Sequence, residues 1–146
     1  SDAEEVSDAR MFVGVRSFVT PTNVEPSTLT NCIGVGHGEA DTNFKIFFGG
    51  SSAQTPVDLG ANFPSNTRSV DMYELALFAP VDAQEIRWQV TRLNTGHVET
   101  GTASGTVGTA IPAETTLIGP WGYRTNNATA LAVGMDVASA YIETDY

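Results

Sequence analysis

Almost nowhere in this chain do apolar residues recur at the three- and four-residue spacing of a helix. They alternate with polar or small residues at a spacing of two, in short runs closed by Gly, Pro, Asn or Asp. That pattern belongs to strands with one buried face. The clearest case is "EIRWQVTRL", where Ile86, Trp88 and Val90 alternate with Arg87, Gln89 and Thr91. In "NFKIFFGG", Phe44, Ile46 and Phe48 share one face and Lys45 and Phe47 the other. "SVDMYELALFAP" sets Tyr73, Leu75 and Leu77 opposite Met72, Glu74, Ala76 and Phe78. "RMFVGVRSFV" and "NCIGVGH" also read as strands, and "HVETGTASGTVG" as an exposed hairpin or edge. "NTG" at Asn94–Gly96 is a tight-turn signal. About eight or nine strands at intervals of about ten residues predict an all-β fold, an antiparallel β-sandwich of the jelly-roll kind.

The last run, "AVGMDVASAYIETDY", predicts a long closing strand. Extended, it carries Leu131, Val133, Met135, Val137, Ser139 and Tyr141 on one face. Ala132, Gly134, Asp136, Ala138, Ala140 and Ile142 form the other. The large face is expected in the core. The small-residue face is expected under the second sheet of the same chain or against a neighbouring chain.

The 146 residues suit one domain, and 41% of them are aliphatic, aromatic or sulfur-bearing, enough for a core. The expected organisation is an acidic connector over residues 1–9 and a single sandwich domain over 10–146. "SDAEEVSDAR" opens without Met and reads as part of a longer polypeptide. A formal charge of −10 argues against nucleic acid, whose phosphates need clustered cations, and against an anionic membrane surface. No apolar run approaches the length of a membrane span. The single cysteine, Cys32, reads as a small buried residue.

Motifs with intrinsic chemistry are missing: there is no nucleophile elbow, phosphate loop, zinc-protease helix or paired-cysteine spacing. His37 and His97 stand on separate segments and read as solvent-facing or locally bonded. Glu39, Asp41 and Asn43 in "HGEADTN" alternate as hard oxygen ligands, a weak Ca²⁺ candidate. Against it, Phe44 stands where a Ca²⁺ loop has Gly, and no distal Glu closes the loop; an ordinary Gly/Asp turn is the other reading. "GPWGYRTNNAT" is the most suggestive loop. Trp121 and Tyr123 can stack on a sugar ring, and Arg124, Asn126 and Asn127 supply planar hydrogen-bonding groups. Alternatively Trp121 plugs the end of the sandwich and the Asn pair makes a turn. Glu143 and Asp145, with Asp136 and Glu74, are the acids available to a carboxylate-pair hydrolase.

Three phrases carry a family resemblance: Asp71-Met72-Tyr73-Glu74-Leu75, Arg92-Leu93-Asn94-Thr95-Gly96 and Tyr141-Ile142-Glu143-Thr144. Across Leu59–Tyr146, with weaker echoes from Phe12 to Gly50, the chain resembles a C-terminal module of tailed-bacteriophage tail fibres and related virion surface proteins. The resemblance implies a compact β-sandwich on the virion and a homotrimer, and it carries no catalytic residue. The function expected is recognition of a bacterial surface glycan without catalysis. The alternatives are a structural, trimerisation or decoration role in the virion, and a carboxylate-based glycan depolymerase.

Overall fold

A computed structural model describes residues 6, 8–20, 23–65, 70–81 and 84–143. Its strands are β1 (Arg10–Ser17), β2 (Cys32–His37), β3 (Lys45–Gly49), β4 (Val57–Asp58), β5 (Tyr73–Phe78), β6 (Glu85–Arg92), β7 (His97–Ser104) and β8 (Ile118–Thr125). The one helical piece among the described residues is a 3₁₀ turn at Pro26–Thr28. A five-stranded sheet runs β4-β3-β2-β1-β8 and a three-stranded sheet runs β5-β6-β7, with every pairing antiparallel. The all-β sandwich expected from the alternation is the architecture observed.

Register explains which side chains meet between the sheets. Val35 pairs with Ile46 and Ile33 with Phe48, which puts all four on the inner face of the larger sheet. Leu75 pairs with Val90 and Leu77 with Trp88, which aligns the inner face of the smaller one. These rows form one buried cluster, closed by Phe44, Leu59, Phe63, Ala103 and Ile111. Trp88 lies against Gly101, where a Cβ would come within 2.3 Å of its indole, so only glycine leaves room for that ring.

The larger sheet is covered on its outer face as well. Phe12, Cys32, Phe47 and Tyr123 form a second buried cluster there with Leu29, and Val24 and Trp121 pack against it. The cover is the β1–β2 connection, folded back over the sheet through the 3₁₀ turn, with Pro26 buried. Every residue of β2 is consequently buried. Phe12 reaches across β2 because position 34 is glycine; a Cβ there would sit 2.7 Å from the Phe12 ring.

Two expectations change. Residues 118–125, most of them in the run expected to be a loop, form the edge strand β8. The closing run is not a strand: residues 132–143 have no regular structure. Its large face is not core either, since Leu131, Val137 and Tyr141 are exposed. Alternation established that the run could pair, but an edge strand must also lie alongside it. Of the two readings of His37, the structure gives the locally bonded one: the ring is buried, edge-on to Phe44 at 5.7 Å, with its Nδ1 3.2 Å from the Gly38 carbonyl.

Cys32 lies in the outer cluster with no exposed surface. Burial pushes its thiol up to about 12, against a small opposing pull from Arg16, so almost no thiolate exists at neutral pH. A thiol reagent at pH 8 is expected to leave the native protein unlabelled and to label it stoichiometrically in denaturant. Rapid labelling of the native chain would contradict this packing.

Candidate functional site

The aromatic pair of the proposed sugar-stacking loop lies in β8, on the outer face of the larger sheet. Trp121 pairs with Gly14 and Tyr123 with Phe12. The Trp121 ring is enclosed by Phe12 at 5.9 Å, Tyr123 at 5.4 Å and the Arg16 guanidinium at 4.7 Å. Its Nε1 donates to the Val19 carbonyl at 3.2 Å, and the Tyr123 hydroxyl donates to the Val24 carbonyl at 2.6 Å. Burial, reinforced by the nearby charge of Glu25, holds the Tyr123 phenol well above its ordinary range. Both polar tips therefore pin the β1–β2 connection to the sheet. Arg124 points to the opposite face, where its Nη1 reaches Met11 Sδ at 3.5 Å. Asn126 donates to the Leu131 carbonyl at 2.9 Å and shapes the turn after β8.

Asn127 joins a polar cluster centred on Arg10. The Arg10 guanidinium bonds Glu39, sits 2.5 Å from Glu25, and donates to Asn23 at 3.1 Å. Asn127 donates to Glu39 at 2.8 Å and accepts from Asn23 at 3.2 Å. Desolvation opposes the Arg10 charge, but the bond to Glu39 and the field of Glu25 and Glu39 outweigh it and raise its pKa. One cation thus ties together the start of β1, the β1–β2 connection, the β2–β3 turn and the exit of β8.

The three metal candidates are divided among different partners. Glu39 belongs to the Arg10 cluster. Asp41 accepts from Lys45 Nζ at 2.6 Å and from the Gly38 amide at 2.8 Å. Asn43 donates to Asp58 at 3.1 Å. Among the described residues no group of three or more His, Cys, Asp or Glu side chains is arranged to share an ion. The acids considered for hydrolysis are also dispersed. Glu74 lies on β5, Asp136 and Glu143 follow β8, and Asp145 lies outside the described residues.

Two of the resemblance-bearing phrases meet at one end of the smaller sheet. Asp71, its side chain almost wholly buried, accepts from Arg92 Nε and from Asn94 Nδ2, each at 2.8 Å. Arg92 also donates to the Asn62 carbonyl at 3.0 Å, and Leu93 N–H closes on the Met72 carbonyl. Gly96 completes the turn at φ +76°. The phrases are a latch joining the β6–β7 turn to the entry of β5.

The open feature is the outer face of the three-stranded sheet. Register aligns Phe78, Arg87 and Thr102 in one row and Ala76, Gln89 and Thr100 in the next. Together with the backbone of Leu77, Trp88 and Gly101 they line a trough of about 400 Å³, within the range of small-ligand clefts. The planar groups along β6 are already oriented. Arg87 Nε and Nη2 both rest 2.8 Å from Glu85 Oε1, and Gln89 Nε2 donates to Thr91 Oγ1 at 3.3 Å. Phe78, 59% exposed, stands on one flank and the threonine hydroxyls on the other. The alternation set Ala76 and Phe78 on one face of their strand and Arg87 and Gln89 on the polar face of theirs, and it did not bring them together. The available signal was the outward row Arg87, Gln89 and Thr91 beside a Thr-rich neighbour.

Comparison of the chain with protein-family models, with curated proteins and with solved structures gives no match in any of the three.

Because Trp121 is partly buried against Phe12, Tyr123 and Arg16 and hydrogen-bonded, Trp121→Ala is expected to destabilise the fold by about 2 kcal/mol, less than a fully buried Trp would cost. Urea unfolding followed by circular dichroism measures this. An unchanged midpoint would mean that the ring is a free surface group.

Proposed function

We propose that this chain is the non-catalytic receptor-binding module of a tail-fibre-type virion surface protein. In this reading it holds a bacterial surface glycan in the trough of β5, β6 and β7. The observation that supports it is the oriented row of planar groups along β6, flanked by exposed Phe78 and by Thr100 and Thr102. A sugar ring has an apolar face and an edge of hydroxyls. Phe78 suits the first, and the guanidinium, amide and threonine groups suit the second. Among the described residues no carboxylate lines the trough, and the reading taken is binding alone. An open site of this kind holds one sugar weakly. Presentation on a homotrimer multiplies that affinity, provided the copies reach the surface together.

A structural role in the virion is the second reading. It draws on the exposed strand-like segment after β8, which suits a chain that assembles with others.

Phe78→Ala and Arg87→Ala separate the two. Both side chains are largely exposed, so neither change should move the melting temperature appreciably. Loss of the aromatic contact should weaken binding to capsule- or lipopolysaccharide-derived oligosaccharides about tenfold, the equivalent of about 1.4 kcal/mol. Calorimetry or glycan-array titration reads this. Unchanged binding in both variants moves the site elsewhere, and absence of binding by the parent chain across such glycans favours the structural role.

A further inference from the structure

Strand register places three charged side chains of β5, β6 and β7 on the outer face that holds the trough. Arg87 shares a row with Phe78 and Thr102, and Glu74 shares one with Thr91 and Val98. Glu85 follows on the same side of β6, across from Ser104. Two carboxylates thus stand beside the trough and one cation lines it. The other hydrogen-bonding side chains of the lining, Gln89, Thr100 and Thr102, are uncharged.

Arg87 does not meet a ligand as a bare cation. Its Nε and Nη2 both rest 2.8 Å from Glu85 Oε1. A second carboxylate brought to the guanidinium would approach Glu85 as well, and in water its attraction to one and its repulsion from the other nearly cancel. The chain as a whole adds to the repulsion. It carries 17 acidic and 7 basic residues, a formal charge of −10. A field of that sign lowers the rate of encounter with a polyanion. Arg10, Lys45 and Arg92 are themselves paired with carboxylates and offer no compensation.

What the pair keeps is the capacity to donate. Both contacts with Glu85 fall on one side of the guanidinium, which leaves Nη1 of a side chain 61% exposed for a sugar oxygen. Gln89 and the threonines both donate and accept. Hydroxyl and acetamido groups are served by such a lining without any net charge.

We propose that the trough selects uncharged sugars (hexoses, deoxyhexoses and their N-acetyl derivatives) over sugars bearing carboxylate or phosphate, and that Glu85 sets this preference. The preference presupposes that the trough is the glycan site. Glu85 is a positioning residue: it orients the guanidinium along β6 and cancels its charge.

The test uses the full chain and matched probes. Capsule-derived oligosaccharides containing uronic acid are titrated calorimetrically beside the same oligosaccharides after reduction of the carboxyl to the neutral hexose. The parent chain is expected to bind the reduced form more tightly. Its affinity should hardly change between about 10 mM and about 1 M salt, over which the screening length falls from about 30 Å to about 3 Å. Glu85→Gln keeps an oxygen that accepts from Arg87 and removes only the charge. At low salt it is expected to bind the uronate form about fivefold more tightly than the parent does, the scale of one exposed ion pair, and to lose that gain at high salt. A side chain that merely shaped the trough would weaken both forms alike. A parent that prefers the uronate form, or a folded Glu85→Gln variant without the salt-sensitive gain, overturns the proposal and leaves the glycan site standing. The salt dependence of the parent needs no substitution and decides the matter if the variant does not fold. Failure of the glycan site itself looks different: the parent binds neither form, or Phe78→Ala and Arg87→Ala bind as the parent does, and the preference then falls with the site.

Discussion

The rest of the structure depends on the double burial of β2. A strand in the middle of a five-stranded sheet, apolar on both faces, needs cover on both sides. The smaller sheet supplies the inner cover through Ile33 and Val35. The outer cover has to come from the chain between β1 and β2, which contains no strand among its described residues. That connection is held down by side-chain tips instead: Tyr123 on Val24, Trp121 on Val19, Arg16 on Thr30 and Arg10 on Glu25. The aromatic residues that look most like ligand contacts thereby also hold the fold together.

What remains open follows from that commitment. Both faces of the larger sheet are used at β2 and β3, and the inner face of the smaller sheet is core. The outer face of β5, β6 and β7 is left to water. Its polarity comes from strand alternation: Trp88 and Val90 point in, so Arg87, Gln89 and Thr91 point out. The bonds from Arg87 to Glu85 and from Gln89 to Thr91 orient these side chains at the surface. Ordering that precedes binding lowers the entropic cost of binding.

Strand alternation made much of the fold legible. The faces of β3, β5 and β6 could be read from single residues such as Phe47 against Ile46, and Trp88 against Gln89. β8 was harder because Gly119, Pro120 and Gly122 are turn-forming residues, and only its place at a sheet edge makes Pro120 tolerable there. The run after β8 misled in the opposite sense. Its period is right, but period is a property of one segment, whereas a strand needs a neighbour. The trough was hidden for the same reason. Phe78, Arg87 and Thr102 are separated along the chain and become one row only through register between three strands. Glu39, Asp41 and Asn43 stand at ligand-like spacing, yet Arg10, Lys45 and Asp58 draw them to different partners.

The most direct test of this division between structural aromatics and the proposed binding face is an amide chemical-shift titration with oligosaccharides released from bacterial capsule or lipopolysaccharide. The predicted result is a set of saturable shifts at Ala76, Phe78, Arg87, Gln89, Thr100 and Thr102, with Trp121 through Asn127 unmoved. Shifts confined to Trp121–Asn127 would contradict the account, because they would show that the residues holding the β1–β2 connection are the ones that meet the sugar.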